Sequence, residues 1–209
     1  MIPVRDRREL RLRPWATWGI LALLVVVFGV QLMWPAATEL LGLTPARLQG
    51  TGVLGLITHP LVHASVLHLL GNLLFLNVFG PGVEDVLGHG RFLALFVLAA
   101  LGGGVAKVLV DTQSNLPMVG ASSAISGVLA AAVVLGPSRK IVTWTPYLVV
   151  VQLVEVPTFA FVLVWLLLQL GLAYLSLSAV VAVAPFAHLG GFLAGIGLAY
   201  ALLPRKSTA

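Results

Sequence analysis

Residues 117–137, "PMVGASSAISGVLAAAVVLGP", decide the fold. They predict an apolar helix that begins near Ser122 and stops at Pro137, because proline lacks a backbone N–H and its ring clashes with the preceding turn. At about 1.5 Å per residue such a helix covers about 22 Å, about 8 Å short of the hydrocarbon thickness of a bilayer. Ser122, Ser123 and Ser126 cluster at its N-terminal end. An apolar helix has no intrinsic need for hydroxyls, so these serve either helix packing or chemistry.

The rest of the chain fixes the solvent around that helix. Hydrophobic residues make up 59% of the 209 residues and charged residues 9%, with a mean hydropathy of +1.06. That composition excludes an ordinary soluble domain. The apolar runs are long and do not alternate, which favours membrane helices over a transmembrane β-barrel. With no cysteine in the chain, disulfides and thiolate metal sites are excluded.

Six spans are predicted, near 15–34, 61–80, 91–110, 121–136, 157–177 and 185–203. The expected fold is therefore all-α, one membrane domain over 1–209 with a basic tail at 1–14. Arg5, Arg7, Arg8, Arg11, Arg13, Arg91, Arg139, Lys140, Arg205 and Lys206 then share one side, against Arg47 and Lys107 on the other. By the positive-inside rule both termini are expected to be cytoplasmic. The pI of about 10.3 follows from that topology and from contact with anionic lipid, and does not call for nucleic acid. The run from Trp15 to Trp34 exceeds a signal-peptide core, so a cleaved leader is not expected. The segment from Pro35 to about Pro60 has the composition of short interfacial helices.

Polar residues within spans are costly and need a reason. The second span carries His63, His68 and Asn72 in "THPLVHASVLHLLGN", with His68 and Asn72 four apart on one helix face. The sixth carries His188 in "PFAHLGGFLAG". Counted inward from the outer ends, His68 lies at a depth of roughly 10 Å, His188 at roughly 6 Å and Ser122 at about 8 Å. Irregular backbone descending to Ser122 is tolerated only inside protein or beside water. A serine, a histidine and two further polar groups at one wet depth suggest nucleophilic acyl transfer. Ser122 needs a base within reach, for which His188 is the candidate. Asn72, His68 and the backbone N–H of Ser122 would hold the oxyanion. Gly120 lets the backbone approach closely. None of the seven acidic residues lies in a span interior, so a Ser-His dyad is expected rather than a triad. His63 is expected to be structural, and His59 and His89 solvated or interfacial.

These residues carry a resemblance. "HASVLHLLGN" fits His-x-x-x-x-His-x-x-x-Asn, "GAS" fits Gly-x-Ser and "AHLGGFLAG" fits Ala-His-x-x-Gly-x-x-x-Gly. In that order and on those spans the chain resembles the rhomboid family of intramembrane serine proteases, in its compact six-helix bacterial form, over nearly everything from the second span onward. The resemblance implies Ser122 as nucleophile, His188 as general base and acid, and His68 and Asn72 as oxyanion donors, with no metal or cofactor. It implies membrane-protein substrates cleaved in or near a transmembrane segment, a fifth span acting as lateral gate, and a bacterial inner membrane. Three features depart from the family pattern: Ser123 stands where glycine often follows the nucleophile, Val183 where glycine often precedes the Ala-His pair, and the first outer loop lacks a Trp-Arg pair.

Other chemistries fit less well. His59 and His63 are four apart but no glutamate lies between them, so the zinc-protease motif fails. No span interior holds the paired aspartates of an aspartyl protease. Two rival functions stand beside proteolysis: a catalytically inactive rhomboid-like protein that binds or escorts transmembrane clients, and a proton-coupled transporter relaying through His63, His68 and His188. A client-binding protein could dispense with Ser122 or His188, yet the sequence keeps both.

Overall fold

The structure, a computed structural model, describes residues 1–6, 9–48, 50–136, 139–147, 150–176 and 184–204. Arg7, Arg8, Pro137, Val183, Arg205 and Lys206, each given weight above, lie outside the described residues. The elements in chain order are β1 (Ile2–Asp6), α1 (Trp15–Met33), α2 (Ala37–Leu41), α3 (Gly55–Thr58), α4 (Val66–Leu87), α5 (His89–Val110), α6 (Ser122–Leu135), β2 (Lys140–Tyr147), β3 (Val150–Pro157), α7 (Thr158–Ser176) and α8 (Ala184–Ala201). Three 3-10 turns lie between α2 and α4. The helices α1, α4, α5 and α7 are long and apolar enough to cross a membrane, whereas α6 and α8 are apolar but shorter.

α6 is the enclosed element. Residues 123–132 are all buried, among α4, α5, α7 and α8. Small residues permit this close approach, since Leu and lipid tails are equally apolar and only tight backbone packing favours association. A Cβ on Gly195 of α8 would collide with the Gly127 backbone of α6, and one on Gly127 would collide with Ala99 of α5. The outer helices instead turn large apolar side chains outward, Val26, Leu32, Leu67 and Leu168 among them.

Among the described residues, α1, α5 and α6 start and end within two residues of the expected bounds, as do the start of α7 and the end of α8. The second span does not: α4 begins at Val66 and runs to Leu87, where 61–80 was expected. His59–Leu61 forms a 3-10 turn, Val62 is extended, and the Ser65 hydroxyl accepts from His68 N at 3.1 Å, so the helix starts at this cap. At the other end Pro81 is carried inside the helix and Gly88, at φ +78°, terminates it.

At the end of the bundle remote from Ser122, acidic side chains tie α1 to α4. The carboxylate of Glu84, fully buried, accepts from Ala16 N (2.8 Å), Thr17 N (2.8 Å) and Thr17 Oγ1 (2.6 Å), and from His89 Nδ1 at 2.6 Å. The two backbone N–H groups are orphan donors of the first turn of α1, which a carboxylate satisfies while complementing the helix dipole. Asp85 accepts from Arg11 N and Leu12 N, each at 2.7 Å.

The all-α expectation needs correction at this same end. The chain is mostly helical but carries a three-stranded antiparallel sheet in the order β1-β2-β3. Ile2 pairs with Trp144, and Lys140 to Tyr147 pair in register with Pro157 to Val150. "KIVTWTPY" and "VVQLVEVP" are rich in β-branched residues, which suit a pleated, half-buried surface. Ile141, Val142 and Thr143 are buried. The segment expected to be only a basic tail contributes the edge strand of this sheet. β3 runs directly into α7, and Thr158 N donates to Arg139 O at 2.7 Å.

Glu84→Ala would strand three donors of α1 at a buried junction. It is expected to destabilise the protein by about 2–4 kcal/mol, measured as a lower unfolding midpoint in detergent. An unchanged midpoint would contradict the assigned cap.

Candidate active site

Ser122 is the first residue of α6, at the end of an irregular stretch from 111 to 121. Buried backbone in such a stretch must find partners, and the segment after α1 supplies them. Leu43 N donates to Met118 O (3.0 Å), Met118 N to Leu43 O (2.8 Å) and Gly120 N to His59 O (3.0 Å). Gly120 has φ +104°, a conformation L side chains rarely adopt. A Cβ there would stand 2.6 Å from His68 Nε2 and 3.4 Å from Asn72 Nδ2. Glycine at 120 thus lets the turn before Ser122 rest against both side chains of α4.

His188 comes to Ser122 from α8. Its Nε2 lies 2.8 Å from Ser122 Oγ, and its Nδ1 lies 2.7 Å from Oε1 of Gln169 on α7. With the amide oxygen facing the ring, Nδ1 can donate to it, which leaves Nε2 to accept from the Ser122 hydroxyl. The Trp165 ring of α7 packs over the imidazole, with centroids 6.2 Å apart. Within α6, Ser126 Oγ donates to Ser122 O at 2.6 Å.

Ser122, His188, His68 and Asn72 all line one cavity of about 360 Å³, walled on its apolar side by Phe75, Leu129 and Trp165. Asn72 is buried, and its Nδ2 has no hydrogen-bond partner among the described residues. An orphaned donor beside a serine hydroxyl is a ready partner for an oxygen brought in from outside, since leaving a buried N–H unpaired is unfavourable.

Ser123 belongs to a second serine-histidine pair. Its Oγ lies 3.0 Å from His59 Nε2, while His59 Nδ1 lies 2.9 Å from Gly55 O, so the proton arrangement parallels that at His188. Both side chains of this pair are fully buried, and neither lines the cavity that holds Ser122. His59 is therefore neither solvated nor interfacial, contrary to its position near an expected span end. The loop from α1 to α4 folds over α6 and seals it in. His63 is also buried, edge-on to His68 and to Phe28, and its ring nitrogens have no partner among the described residues. His89 stays half exposed beside Glu84.

Gln169 is the site residue that sequence reasoning missed. It is the sole amide or charged side chain of α7, and a polar group in the interior of an apolar span is itself a functional signal. The search for a third member looked only among acids.

With this geometry in view, the comparisons are specific. Residues 50–205 match the family described as Rhomboid domain. The chain is 35% identical over 144 residues to RHOMBOID-like protein 5 of Arabidopsis thaliana, covering 69% of this chain and 42% of that protein. To RHOMBOID-like protein 6, mitochondrial, of the same organism it is 30% identical over 161 residues, 77% of this chain and 47% of that protein. Over a shorter 85 residues it is 35% identical to Rhomboid protease GluP of Bacillus subtilis (strain 168), 41% of this chain and 16% of that protein. The chain spans less than half the length of these curated relatives. It belongs to the rhomboid family of intramembrane proteases and rhomboid-like proteins, and with its apolar helices it is an integral membrane protein.

Replacing His59 by Phe would keep ring packing but leave the Ser123 hydroxyl buried without its partner. The His59→Phe change is expected to cost about 1–3 kcal/mol, and adding Ser123→Ala to recover part of it. Additive losses in the double variant would show that the two side chains are not coupled.

Proposed function

We propose that this chain is an intramembrane serine endopeptidase that cleaves transmembrane protein substrates in or near their membrane-spanning segments. The 2.8 Å approach of Ser122 Oγ to the lone-pair nitrogen of His188, inside a cavity, carries that reading. Ser122 attacks the scissile carbonyl while Nε2 of His188 takes its proton. The oxyanion is met by Asn72 Nδ2, the His68 ring and the N–H at the start of α6, donors already in place before charge develops. His188 then returns the proton to the leaving amine, and water repeats the sequence on the acyl-enzyme. Ser123 takes no part, because its hydroxyl is already paired with His59 away from the cavity.

In this proposal the chain crosses the bilayer six times, with α6 and α8 as the short crossings, both termini and the sheet are cytoplasmic, and the cavity opens toward the outer leaflet of a bacterial inner membrane. Substrate arrives past α7, which turns Leu163, Leu167 and Leu168 outward and Trp165 toward His188. The competing function is that of an inactive rhomboid-like protein that holds transmembrane clients, which has no use for a serine and histidine in bonding contact.

Reconstituted protein and a panel of single-span membrane substrates separate the two. Ser122→Ala and His188→Ala are each expected to abolish cleavage with folding intact, and Asn72→Ala to lower kcat by about 10- to 100-fold because other donors remain. Binding of the panel without cleavage by the unaltered chain would establish the client-holding function instead, and cleavage surviving Ser122→Ala would overturn the assigned nucleophile.

A further inference from the structure

Gln169 contacts the histidine proposed as general base, and its chemistry suits a specific task. It is buried, it sits in the interior of α7, and its amide oxygen lies 2.7 Å from His188 Nδ1. A buried side-chain amide in an apolar helix needs a partner, and here that partner is the far nitrogen of the imidazole. We propose that Gln169 is a positioning residue that locks His188 in the Nδ1-protonated tautomer and so completes a Ser122-His188-Gln169 relay drawn from α6, α8 and α7. The inference rests on Ser122 and His188 being the reacting pair.

The orientation of the amide matters. Turned end for end, it would set an NH2 group against Nδ1, shift the ring proton to Nε2, and leave no lone pair for the Ser122 hydroxyl. With oxygen toward Nδ1, the ring accepts from serine and donates to glutamine at once. When Nε2 takes the serine proton, the Nδ1–H becomes part of a cation and its bond to the carbonyl strengthens. An acidic side chain would orient the ring equally well but would bring an ionised carboxylate into an apolar helix, where desolvation is severe. A neutral acceptor fixes the tautomer without that charge.

Trp165 stands one helical turn before Gln169 on the same face of α7 and packs on the same imidazole. Two side chains of one helix thus hold the base. A retreat of α7 by about 1 Å takes the 2.7 Å bond beyond hydrogen-bonding range, so α7 has to be seated when the proton moves.

The test uses the full chain in proteoliposomes with a cleavable single-span substrate. Gln169→Met keeps the length of the side chain and removes the acceptor, whereas Gln169→Glu keeps an acceptor oxygen. Gln169→Met is expected to lower kcat about 10- to 100-fold with KM changed by less than about 3-fold, and Gln169→Glu to recover most of that loss. Unfolding midpoints in detergent check that both variants fold. Ring 15N spectra, with the His188 signals identified by their loss in His188→Ala, are expected to show an Nδ1-protonated imidazole in the unaltered chain and mixed tautomers in Gln169→Met. A Gln169→Met protein with unchanged kcat and an unchanged ring spectrum would overturn the inference. Absence of cleavage by the unaltered chain would defeat the protease assignment alone, and the ring spectra would still decide what Gln169 does.

Discussion

A helix that stops short sets the terms for the rest of this molecule. α6 has 14 residues, about 21 Å of helix at about 1.5 Å per residue, and it is buried along almost its whole length. Its first residue is Ser122, which lines the cavity shared with α4, α7 and α8. The chain before it must come inward without regular structure, and its backbone groups are met by Leu43 and by the carbonyl of His59. Gly120 is strained for any other residue and is in contact with His68 and Asn72. The polar side chains of α4 and α8 converge on the same cavity, and beside it α6 and α8 pack backbone to backbone through Gly127, Gly191 and Gly195.

Two adjacent serines of α6 each face a histidine, and burial separates them. The Ser123-His59 pair is sealed, and its proton arrangement is satisfied within the protein. Such a pair joins the loop after α1 to α6. The Ser122-His188 pair opens on a cavity in which Asn72 Nδ2 has no partner among the described residues. One pair is enclosed, and the other lies beside a cavity large enough to admit a further group. Both pairs set a serine hydroxyl beside a histidine nitrogen. Access and an unsatisfied donor distinguish the site.

Much of this was legible in the sequence because helix ends and intramembrane polar residues carry strong local signals. Several helix bounds followed from the lengths of the apolar runs. Ser122, His68, Asn72 and His188 were placed at one depth by counting residues, and the structure has all four around one cavity. The start of α4 was misjudged because the hydrophobic run from Leu61 continues through a 3-10 turn and an extended residue, and only the Ser65 cap marks the boundary. The sheet was not legible because β1 and β2 pair across more than a hundred intervening residues, most of them helical, and "IPVRD" alone carries no periodicity. His59 was misplaced for a similar reason: its burial depends on a loop folding over α6. Gln169 was overlooked because its partner lies on another helix and the expected third group was an acid.

In the proposed mechanism the Ser122 hydroxyl, and not that of Ser123, is activated by His188. Treating the unaltered protein with a fluorophosphonate and mapping the modified peptide by mass spectrometry tests it most directly, since the reagent marks only a serine whose proton can be removed within an accessible site. One adduct on Ser122 is expected, retained in Ser123→Ala and lost in His188→Ala. An adduct on Ser123, or none at all in the unaltered chain, would contradict it.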